Sequence, residues 1–335
     1  MNWEDENGRF ADLPLISLDD LCYLPLKMNV PPTKVSSHKD NNYKITDLRI
    51  PLANSGHALF VRENVRHYQP ASTVATVGSS MSRTKHAFVM IVVHGGPGLA
   101  DYAESYAGLQ RLLDYEGSDC HAMVFYDQLG CGASDKPASF DYTLSYYTQE
   151  LAQVVDFVKN RHGHRPICLL GHSWGGQVVL EYCARHGGRD SSIPIVSAIV
   201  SNSPLDESTY EQKQRNLRNL LADDVRQFLQ EEELAQSVDG SVGSAIYSKL
   251  IGLNEASITG EMKGWSILHR LGDINVPCLF ISGTDDSIPF DEYEVAAQHG
   301  HAVKIIPGAG HGPFFGPTAD EYFRIIHQFL QTNLK

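Results

Sequence analysis

The sequence predicts an α/β fold in which a doubly wound, mostly parallel sheet carries helices on both faces and a helical insertion. Two observations predict it. From residue 87 onward, short apolar runs alternate with segments of helical period, and the runs are apolar throughout, as in parallel strands buried on both faces. One long stretch, residues 205–264, has no strand pattern and interrupts the alternation. With 335 residues, 42% of them apolar, the chain is long enough for one such domain with its insertion.

The chain ahead of this alternation divides into three parts. Residues 1–40 are acidic and contain four prolines, which predicts a loosely ordered arm without a core of its own. The stretch Tyr43–Val65 alternates between apolar and polar residues on either side of residues 54–56, Asn-Ser-Gly, which predicts a β-hairpin. Residues 69–85 are rich in serine, threonine and glycine and predict a surface loop.

The alternating region predicts the central sheet and its helices. The apolar runs expected to form buried parallel strands are Ala87–Val93, Ala122–Tyr126, Ile167–Leu170, Ile195–Val200, Cys278–Ile281 and Val303–Ile306. The helices expected between and after them are Leu144–Lys159, Gln177–Ala184 and a C-terminal helix that includes Tyr322–Leu330.

The insertion is predicted to be helical, with apolar residues at helical spacing from Leu217 to Leu229. It follows the strand that ends near Ser201, and sites in this fold class open at the carboxyl ends of the strands. We therefore expect residues 205–264 to form a lid over the site. Along the chain, the lid separates the first part of the core, residues 41–204, from the second part, residues 265–335.

The composition argues against several classes of partner and location. A formal charge of −13 and a pI near 5.5 leave no basic patch for nucleic acid. No apolar run approaches the roughly 18 residues of a membrane span, and the acidic first twenty residues do not resemble a secretory signal. The cysteines are scattered along the chain, which predicts reduced thiols, a cytoplasmic location and no metal site. The sequence contains no nucleotide-binding glycine motif, so we expect no cofactor. The cysteines are Cys22, Cys120, Cys131, Cys168, Cys183 and Cys278.

A candidate nucleophile lies at a turn between a strand and a helix. Residues 171–176 read GHSWGG, directly after the strand Ile167–Leu170 and ahead of the helix Gln177–Ala184. In the G-x-S-x-G pattern the glycines relieve crowding at a strained turn that lifts the serine hydroxyl above the sheet. The following helix points its N-terminal amides toward developing negative charge. Ser173 is therefore the predicted nucleophile.

A serine hydroxyl needs a base to take its proton and a carboxylate to orient that base. His311 stands in a glycine-rich loop after the strand Val303–Ile306, and among the histidines it fits the order serine, aspartate, histidine of this fold. Two adjacent aspartates follow the strand Cys278–Ile281. Counting from Gly283 favours Asp286 and counting back from Pro289 favours Asp285, and the loop geometry that this triad order implies makes Asp286 the preferred acid.

A second glycine-rich loop predicts the oxyanion donors. Residues 94–98, HGGPG, follow the strand Ala87–Val93, so that bare backbone can approach a ligand. The tetrahedral intermediate of acyl transfer needs two N–H donors, and we expect them from Gly96 and from Trp174, the residue after the nucleophile.

These motifs resemble the proline iminopeptidase branch of the α/β-hydrolase family, which pairs an HGGPG loop with G-x-S-W-G-G. A third segment, residues 126–134 (YDQLGCGAS), is similar to the family's D-Q-R-G-x-G-x-S loop, with Leu129 in place of the arginine. The resemblance covers residues 43–332. It implies the α/β-hydrolase fold, hydrolysis by a Ser-His-Asp triad and a small-molecule or short-peptide substrate.

The resemblance also extends to the segment ahead of the acid. Residues 254–260, followed by Trp265, look like the family segment that precedes the catalytic aspartate, and this register makes Asp286 that aspartate. It places Glu255 on the lid glutamate that, in family members acting on peptides, helps to hold the substrate's α-ammonium. Tyr210, Trp265 and Phe314, together with the ring of Trp174, are expected to line an apolar substrate pocket.

Two departures from the family pattern keep a second function open. Ser287 stands where the peptidases often carry a second amine-binding glutamate, and the loop from Asp286 to Pro289 is one residue short. The leading expectation is an aminopeptidase acting on N-terminal proline or a small residue. The alternatives are an esterase, lactonase or amidase for a secondary metabolite, or a non-hydrolytic protein of the same fold, against which the complete triad argues. The sequence predicts no oligomeric state.

Overall fold

The computed structural model describes residues 43–53, 55–67, 87–98, 107–163, 165–186, 195–237 and 239–334. The predicted arm, residues 1–40, lies outside these ranges, as does the predicted loop, residues 69–85.

Within the described ranges, eight strands, numbered in chain order, form one sheet in the order β1-β2-β4-β3-β5-β6-β7-β8. The first two pair as the predicted antiparallel hairpin, and β2 pairs antiparallel with β4. All other neighbours are parallel, which confirms the predicted α/β class with a mostly parallel sheet. The strands are β1 Tyr43–Pro51, β2 Ala58–Arg66, β3 Phe88–Val93, β4 Cys120–Tyr126, β5 Ile167–His172, β6 Ile195–Ser201, β7 Cys278–Gly283 and β8 Ala302–Ile306.

The parallel strands next to the predicted site are longer than their apolar runs. Strand β5 continues two residues past its predicted end, where His172 pairs with Ser201 of β6. Strand β7 also continues by two residues, to Gly283, which pairs with Ile306 of β8. Polar and glycine residues complete the ladder through their backbone groups, and an apolar pattern cannot show this.

Helices cover both faces of the sheet. The helix after the nucleophile begins at Trp174, three residues earlier than predicted, because the glycines there are helical despite their low propensity. Two short helices were not predicted, α1 and α7. The helices are α1 Arg111–Asp114, α2 Leu144–His162, α3 Trp174–His186, α4 Glu207–Asn219, α5 Asp223–Ser237, α6 Val242–Leu250, α7 Tyr293–Gln298 and α8 Ala319–Asn333.

The core consists of two apolar layers, one on each face of the sheet. Strand β3 shows the division, because alternate side chains point to opposite faces. Val89, Ile91 and Val93 join the layer that contains α2 and α3, whereas Phe88 and Met90 join the layer that contains α8. The central strands β3, β5 and β7 are therefore buried on both sides, as their continuous apolar runs predicted.

The predicted lid, residues 205–264, contains helices α4, α5 and α6, which agrees with its helical prediction. The predicted apolar stripe from Leu217 to Leu229 is not one continuous helical face, because α4 ends at Asn219 and α5 begins at Asp223. Leu220 is 67% exposed and Leu229 only 4%. We call residues 205–264 the lid segment from here on; its limits as a separate unit stay a prediction.

Glycines let the lid segment approach the loops of the core. A Cβ placed on Gly98 would lie 2.4 Å from the carbonyl oxygen of Gly243 in α6. One placed on Gly130 would lie 2.2 Å from Cδ1 of Ile246 in the same helix. Helix α6 therefore packs directly on the HGGPG loop and on the loop that contains Gly130, closer than side chains would allow.

Five cysteines within the described ranges are free thiols and buried: Cys120, Cys131, Cys168, Cys183 and Cys278. Cys22 lies outside the described residues. Across those same ranges, no helix combines the length and apolarity that crossing a bilayer requires.

A buried carboxyl group lies beneath the loop that differs from the family pattern at Leu129. Glu150 of α2 is fully buried, and its Oε2 accepts the backbone N–H of Leu129 at 3.1 Å. Burial raises the pKa of Glu150 to about 8, although the hydrogen bonds from Leu129 and Tyr146 oppose the shift. We infer that Glu150 is protonated in the folded protein at neutral pH.

We expect Glu150→Gln to stabilise the protein increasingly as the pH rises from about 4.5 to about 8, the unfolded and folded pKa values of Glu150. Below this window the carboxyl is neutral in both states. Through it, wild type loses stability because only the unfolded state ionises, up to a total on the order of 5 kcal/mol. Urea unfolding at a series of pH values measures the difference, with Asp156→Asn, an exposed carboxylate on the same helix, as the control. Parallel pH curves for wild type and Glu150→Gln would contradict a protonated Glu150.

Candidate active site

Ser173 occupies a sharp turn between β5 and α3. Its φ is 55°, a left-handed conformation that is strained for a residue with a side chain. The turn is held by two backbone hydrogen bonds, from the Ser173 N–H to the carbonyl of Ser201 and from the Gly176 N–H to the carbonyl of Ser173, each 2.9 Å long. This is the strand-turn-helix geometry that the G-x-S-x-G pattern predicts.

Three glycines make this turn possible. A Cβ on Gly171 would lie 2.4 Å from the carbonyl oxygen of Gly175, and one on Gly175 would lie 2.1 Å from the carbonyl oxygen of Val93. A Cβ on Gly176 would lie 2.6 Å from the side chain of Ser203. Because the first two of these contacts are to backbone, a larger residue would push the helix away from the ends of β3 and β5.

The structure brings Asp286 and His311 together. Nδ1 of His311 lies 3.0 Å from Oδ1 and 3.1 Å from Oδ2 of Asp286. Asp286 is 4% exposed, whereas Asp285 is exposed and its carboxylate accepts the Thr284 hydroxyl at 2.8 Å. Of the two aspartates left open by the sequence, Asp286 therefore contacts the histidine and Asp285 faces solvent.

Asn202, which the sequence did not predict as a site residue, also binds the buried carboxylate. Its Nδ2 donates to Oδ2 of Asp286 at 2.6 Å and to the carbonyl of Gly310 at 3.2 Å. Like Ser173, Asn202 has a positive φ, of 50°, and it directly follows β6. An asparagine after a strand is a common turn residue, so its type alone did not indicate this contact.

The hydrogen bonds at Asp286 determine its charge. Burial by itself raises the pKa of Asp286 and is the largest single influence, whereas the charge and the hydrogen bond of His311 lower it. Hydrogen bonds from Asn202 and from the backbone N–H of Ile288 act in the same direction, so the pKa of Asp286 stays below its ordinary value. Asp286 is therefore a carboxylate at neutral pH and can orient and stabilise a protonated imidazole.

His172, the residue before Ser173, links the nucleophile turn to the histidine loop. Its Nε2 lies 2.7 Å from the carbonyl oxygen of His311, and the two imidazole rings are 4.7 Å apart. Burial, with the nearby His311 charge, lowers the pKa of His172 to about 3, so its ring is neutral and Nε2 carries the proton that the carbonyl accepts. Phe314 packs edge-on against the His172 ring, with the ring centroids 5.2 Å apart. Phe314 therefore contacts the site through His172.

Gln128 joins the HGGPG loop to the helix that begins after Ser173. Its backbone N–H donates to Nε2 of His94 at 3.0 Å and its side-chain amide donates to the His94 carbonyl at 2.8 Å. Its Oε1 accepts the indole N–H of Trp174 at 3.0 Å. Gly96 has a φ of 128°, open only to glycine in practice. The two predicted oxyanion donors, Gly96 and Trp174, thus belong to segments that Gln128 ties together.

The remaining predicted substrate residues lie on or next to the lid segment. The Trp265 indole donates to Oε1 of Glu181 in α3 at 3.0 Å. Tyr210 and Trp265 are half-buried against the main apolar layer, as is usual for large aromatic rings at a core boundary. The ring of Trp174 is buried in that same layer and packs edge-on against Tyr147, at 5.8 Å. Its side chain therefore supports the site from the core.

Acidic side chains that the sequence did not predict to lie together are concentrated near Glu255. Glu255 is half-buried, and burial raises its pKa while a hydrogen bond with Tyr247 opposes the rise. Glu207, at the start of α4, is 2% exposed; burial raises its pKa to about 8, and the charge of Glu255 adds to the shift. Burial similarly raises the pKa of Glu292 to about 7. Burial therefore makes these carboxyl groups harder to ionise, and a cation beside them would offset that cost.

Among the residues described, no group of three or more histidine, cysteine, aspartate or glutamate side chains is arranged to hold a metal ion.

Comparison with known proteins identifies the family of the chain. The alpha/beta hydrolase family matches residues 90–324, which is more than half of the chain. The chain belongs to the α/β-hydrolase family. This family assignment confirms the fold that the strand order and the nucleophile turn indicated.

The relatives lie in the branch that the sequence resembles. The α/β-hydrolase is 28% identical over 277 residues to a proline iminopeptidase of Heyndrickxia coagulans, covering 72% of this chain and 90% of that one. It is 26% identical over 274 residues to one of Thermoplasma volcanium, covering 73% and 89%. The crystal structure of a Mycobacterium smegmatis proline iminopeptidase superposes with a TM-score of 0.66 at 23% identity, covering 86% and 99%. These similarities confirm the predicted resemblance to that branch.

We expect Asp286→Asn to lower turnover by about 10⁴-fold, because the asparagine amide would hold His311 in the wrong tautomer. Asp285→Asn is the matched control: it makes the same chemical change on an exposed neighbour, and turnover should stay within about twofold. Initial rates with an activated ester or anilide measure both variants. A large loss in Asp285→Asn with normal turnover in Asp286→Asn would reverse the assignment of the acid.

Proposed function

We propose that this α/β-hydrolase cleaves amide or ester bonds with Ser173 as nucleophile, His311 as base and Asp286 as the orienting carboxylate. The observation that carries the proposal is the buried Asp286–His311 pair, linked through His172 to the strained turn at Ser173. A carboxylate on Nδ1 leaves the other imidazole nitrogen to take a proton from the serine, which is how such a pair activates a hydroxyl.

The reaction proceeds through an acyl-enzyme. Ser173 Oγ attacks the carbonyl carbon while its proton passes to Nε2 of His311, and the oxyanion is held by the backbone N–H groups of Gly96 and Trp174. The C–N or C–O bond then breaks as His311 returns the proton to the leaving group. Water attacks the acyl-enzyme with His311 again as base, which releases the acid and restores Ser173.

We further propose that the preferred substrates carry a free N-terminal ammonium, as proline or a small residue in a short peptide or amide. Glu255, Glu207 and Glu292 place three ionisable carboxyl groups close together, and a bound ammonium would favour their ionised forms. The named relatives are proline iminopeptidases, which supports the same choice.

A metabolite ester, lactone or amide is the second candidate. The observation in its favour is Ser287, which follows Asp286 in the chain and offers no charge where the related peptidases often carry a glutamate. A site with fewer carboxylates is better suited to a substrate without an ammonium group.

The choice between the candidates is tested with proline p-nitroanilide, N-acetylproline p-nitroanilide and p-nitrophenyl acetate, with Ser173→Ala as the blank. We expect cleavage of the free-amine anilide with kcat/KM at least about 100-fold above that of its acetylated form, because acetylation removes the charge that the carboxylates bind. Preference for the ester or the acetylated anilide would favour the metabolite hydrolase. Equal rates for wild type and Ser173→Ala would contradict the serine mechanism.

Glu255→Gln should raise KM for proline p-nitroanilide about 10- to 100-fold, because a neutral amide replaces a charge-assisted hydrogen bond to the ammonium. It should leave kcat/KM for p-nitrophenyl acetate unchanged, since that ester has no ammonium. Glu231→Gln, on an exposed glutamate of α5, is the control and should affect neither substrate. An equal loss on both substrates would mean that Glu255 supports the fold and not amine binding.

A further inference from the structure

A lysine of the lid segment contacts the loop that carries the acid. Lys213 lies in the second turn of α4, and its Nζ donates to the backbone carbonyl of Asp286 at 3.1 Å and to that of Ile288 at 3.0 Å. The ammonium also lies 5.7 Å from the ring centroid of Phe290, within the range of a cation–π interaction. One side chain thus contacts three residues of the turn that follows β7.

The carboxylate of Asp286 also holds this turn. The backbone N–H of Ile288 donates to Oδ1 of Asp286 at 3.0 Å, and this oxygen lies 3.0 Å from Nδ1 of His311. The N–H of Ile288 therefore binds the Asp286 carboxylate, and the carbonyl of Ile288 binds the Lys213 ammonium. A shift of Lys213 away from the turn would loosen the peptide groups that fix the carboxylate opposite the imidazole.

The surroundings of Lys213 make these two carbonyl contacts costly to lose. Lys213 is half-buried, and burial lowers its pKa, whereas the charges of Asp286, Asp291 and Glu292 oppose that shift. These acids are the charged groups near the ammonium. An ammonium with little access to water depends on the protein for its hydrogen bonds. The contact therefore favours the arrangement in which α4 lies on the acid loop.

The base of α4 is fixed separately from this contact. The Leu205 N–H donates to Oε2 of Glu292 at 3.1 Å, and the Glu207 N–H donates to the carbonyl of Trp265 at 2.9 Å. These bonds hold the start of the helix where the lid segment leaves the core. Lys213 adds a second attachment two turns further along, directly on the acid loop.

We propose that Lys213 is a positioning residue that couples the placement of the lid segment to the orientation of the catalytic acid. With α4 seated, Lys213 holds the turn at residues 286–288, and the carboxylate of Asp286 faces His311. With α4 lifted, the turn loses both carbonyl contacts and the acid loses its fixed orientation. This inference rests on the proposed serine mechanism, since it assigns Lys213 no contact with the substrate.

The kinetic test compares Lys213→Met, which keeps the length of the side chain without its charge, with Lys213→Arg, which keeps the charge. We expect Lys213→Met to lower kcat for p-nitrophenyl acetate about 10- to 100-fold with KM within about twofold, as for a misplaced catalytic group. Lys213→Arg should recover most of kcat. Lys249→Met is the control, because Lys249 also joins the lid segment to the core, through an exposed ion pair with Asp141. A kcat for Lys213→Met within twofold of wild type, or an equal loss in Lys249→Met, would overturn the proposal.

A second measurement does not depend on turnover. In protein labelled with ¹⁵N-histidine, the Nδ1 proton of His311 bound to Asp286 gives a downfield NMR resonance, assigned by its loss in His311→Gln. We expect this resonance to broaden or move upfield in Lys213→Met and to stay unchanged in Lys249→Met, with thermal unfolding confirming that each variant is folded. An unchanged resonance in Lys213→Met would overturn the coupling. Absence of hydrolysis by wild type would instead contradict the proposed function, and the resonance would still decide the role of Lys213.

Discussion

The close approach of helix α3 to the ends of the central strands is the constraint on which the site depends. Side chains at Gly171 or Gly175 would collide with backbone at 2.4 and 2.1 Å, so this helix can lie where it does only with glycine there. That placement requires the left-handed turn at Ser173 and directs the N-terminus of α3 toward this residue. It also determines how closely the HGGPG loop approaches α3. Gln128 then binds the HGGPG loop at His94, and His172 binds the loop that contains His311, so that both loops are attached to the turn at Ser173.

Burial and the neighbouring charges and hydrogen bonds determine which polar groups around this turn are charged. Asp286 remains ionised because the charge of His311 and several hydrogen bonds together outweigh its burial, whereas His172 is neutral because burial and the nearby charge of His311 lower its pKa. Two imidazoles 4.7 Å apart can therefore take different roles. His172 holds a backbone carbonyl in place, and in the proposed mechanism His311 exchanges a proton with Ser173. Asn202 contributes by binding the acid and the loop of the base at once.

The sequence could predict what depends on short stretches of chain. Continuous apolar runs predicted the buried strands, and glycine spacing predicted the turn at Ser173 and the loop at residues 94–98. The contacts of Asn202 and Lys213 could not be predicted, because their partners lie 84 and 73 residues away and neither residue type is unusual where it stands. Helices α1 and α7 are four and six residues long, too short to show a helical period. The choice between Asp285 and Asp286 likewise needed the fold, since only burial and direction separate two identical neighbours.

The buried acids change the charge that the folded protein carries. Glu150 and Glu207 each have a pKa raised to about 8 by burial, so both are largely protonated at neutral pH, and the formal charge of −13 becomes about −11 when these two are counted as neutral. Both ionise when the chain unfolds, and the pair then releases nearly two protons to the buffer. The enthalpy measured in a thermal unfolding experiment therefore includes the enthalpy of protonating the buffer. Unfolding enthalpies measured in phosphate and in Tris should differ for this reason alone.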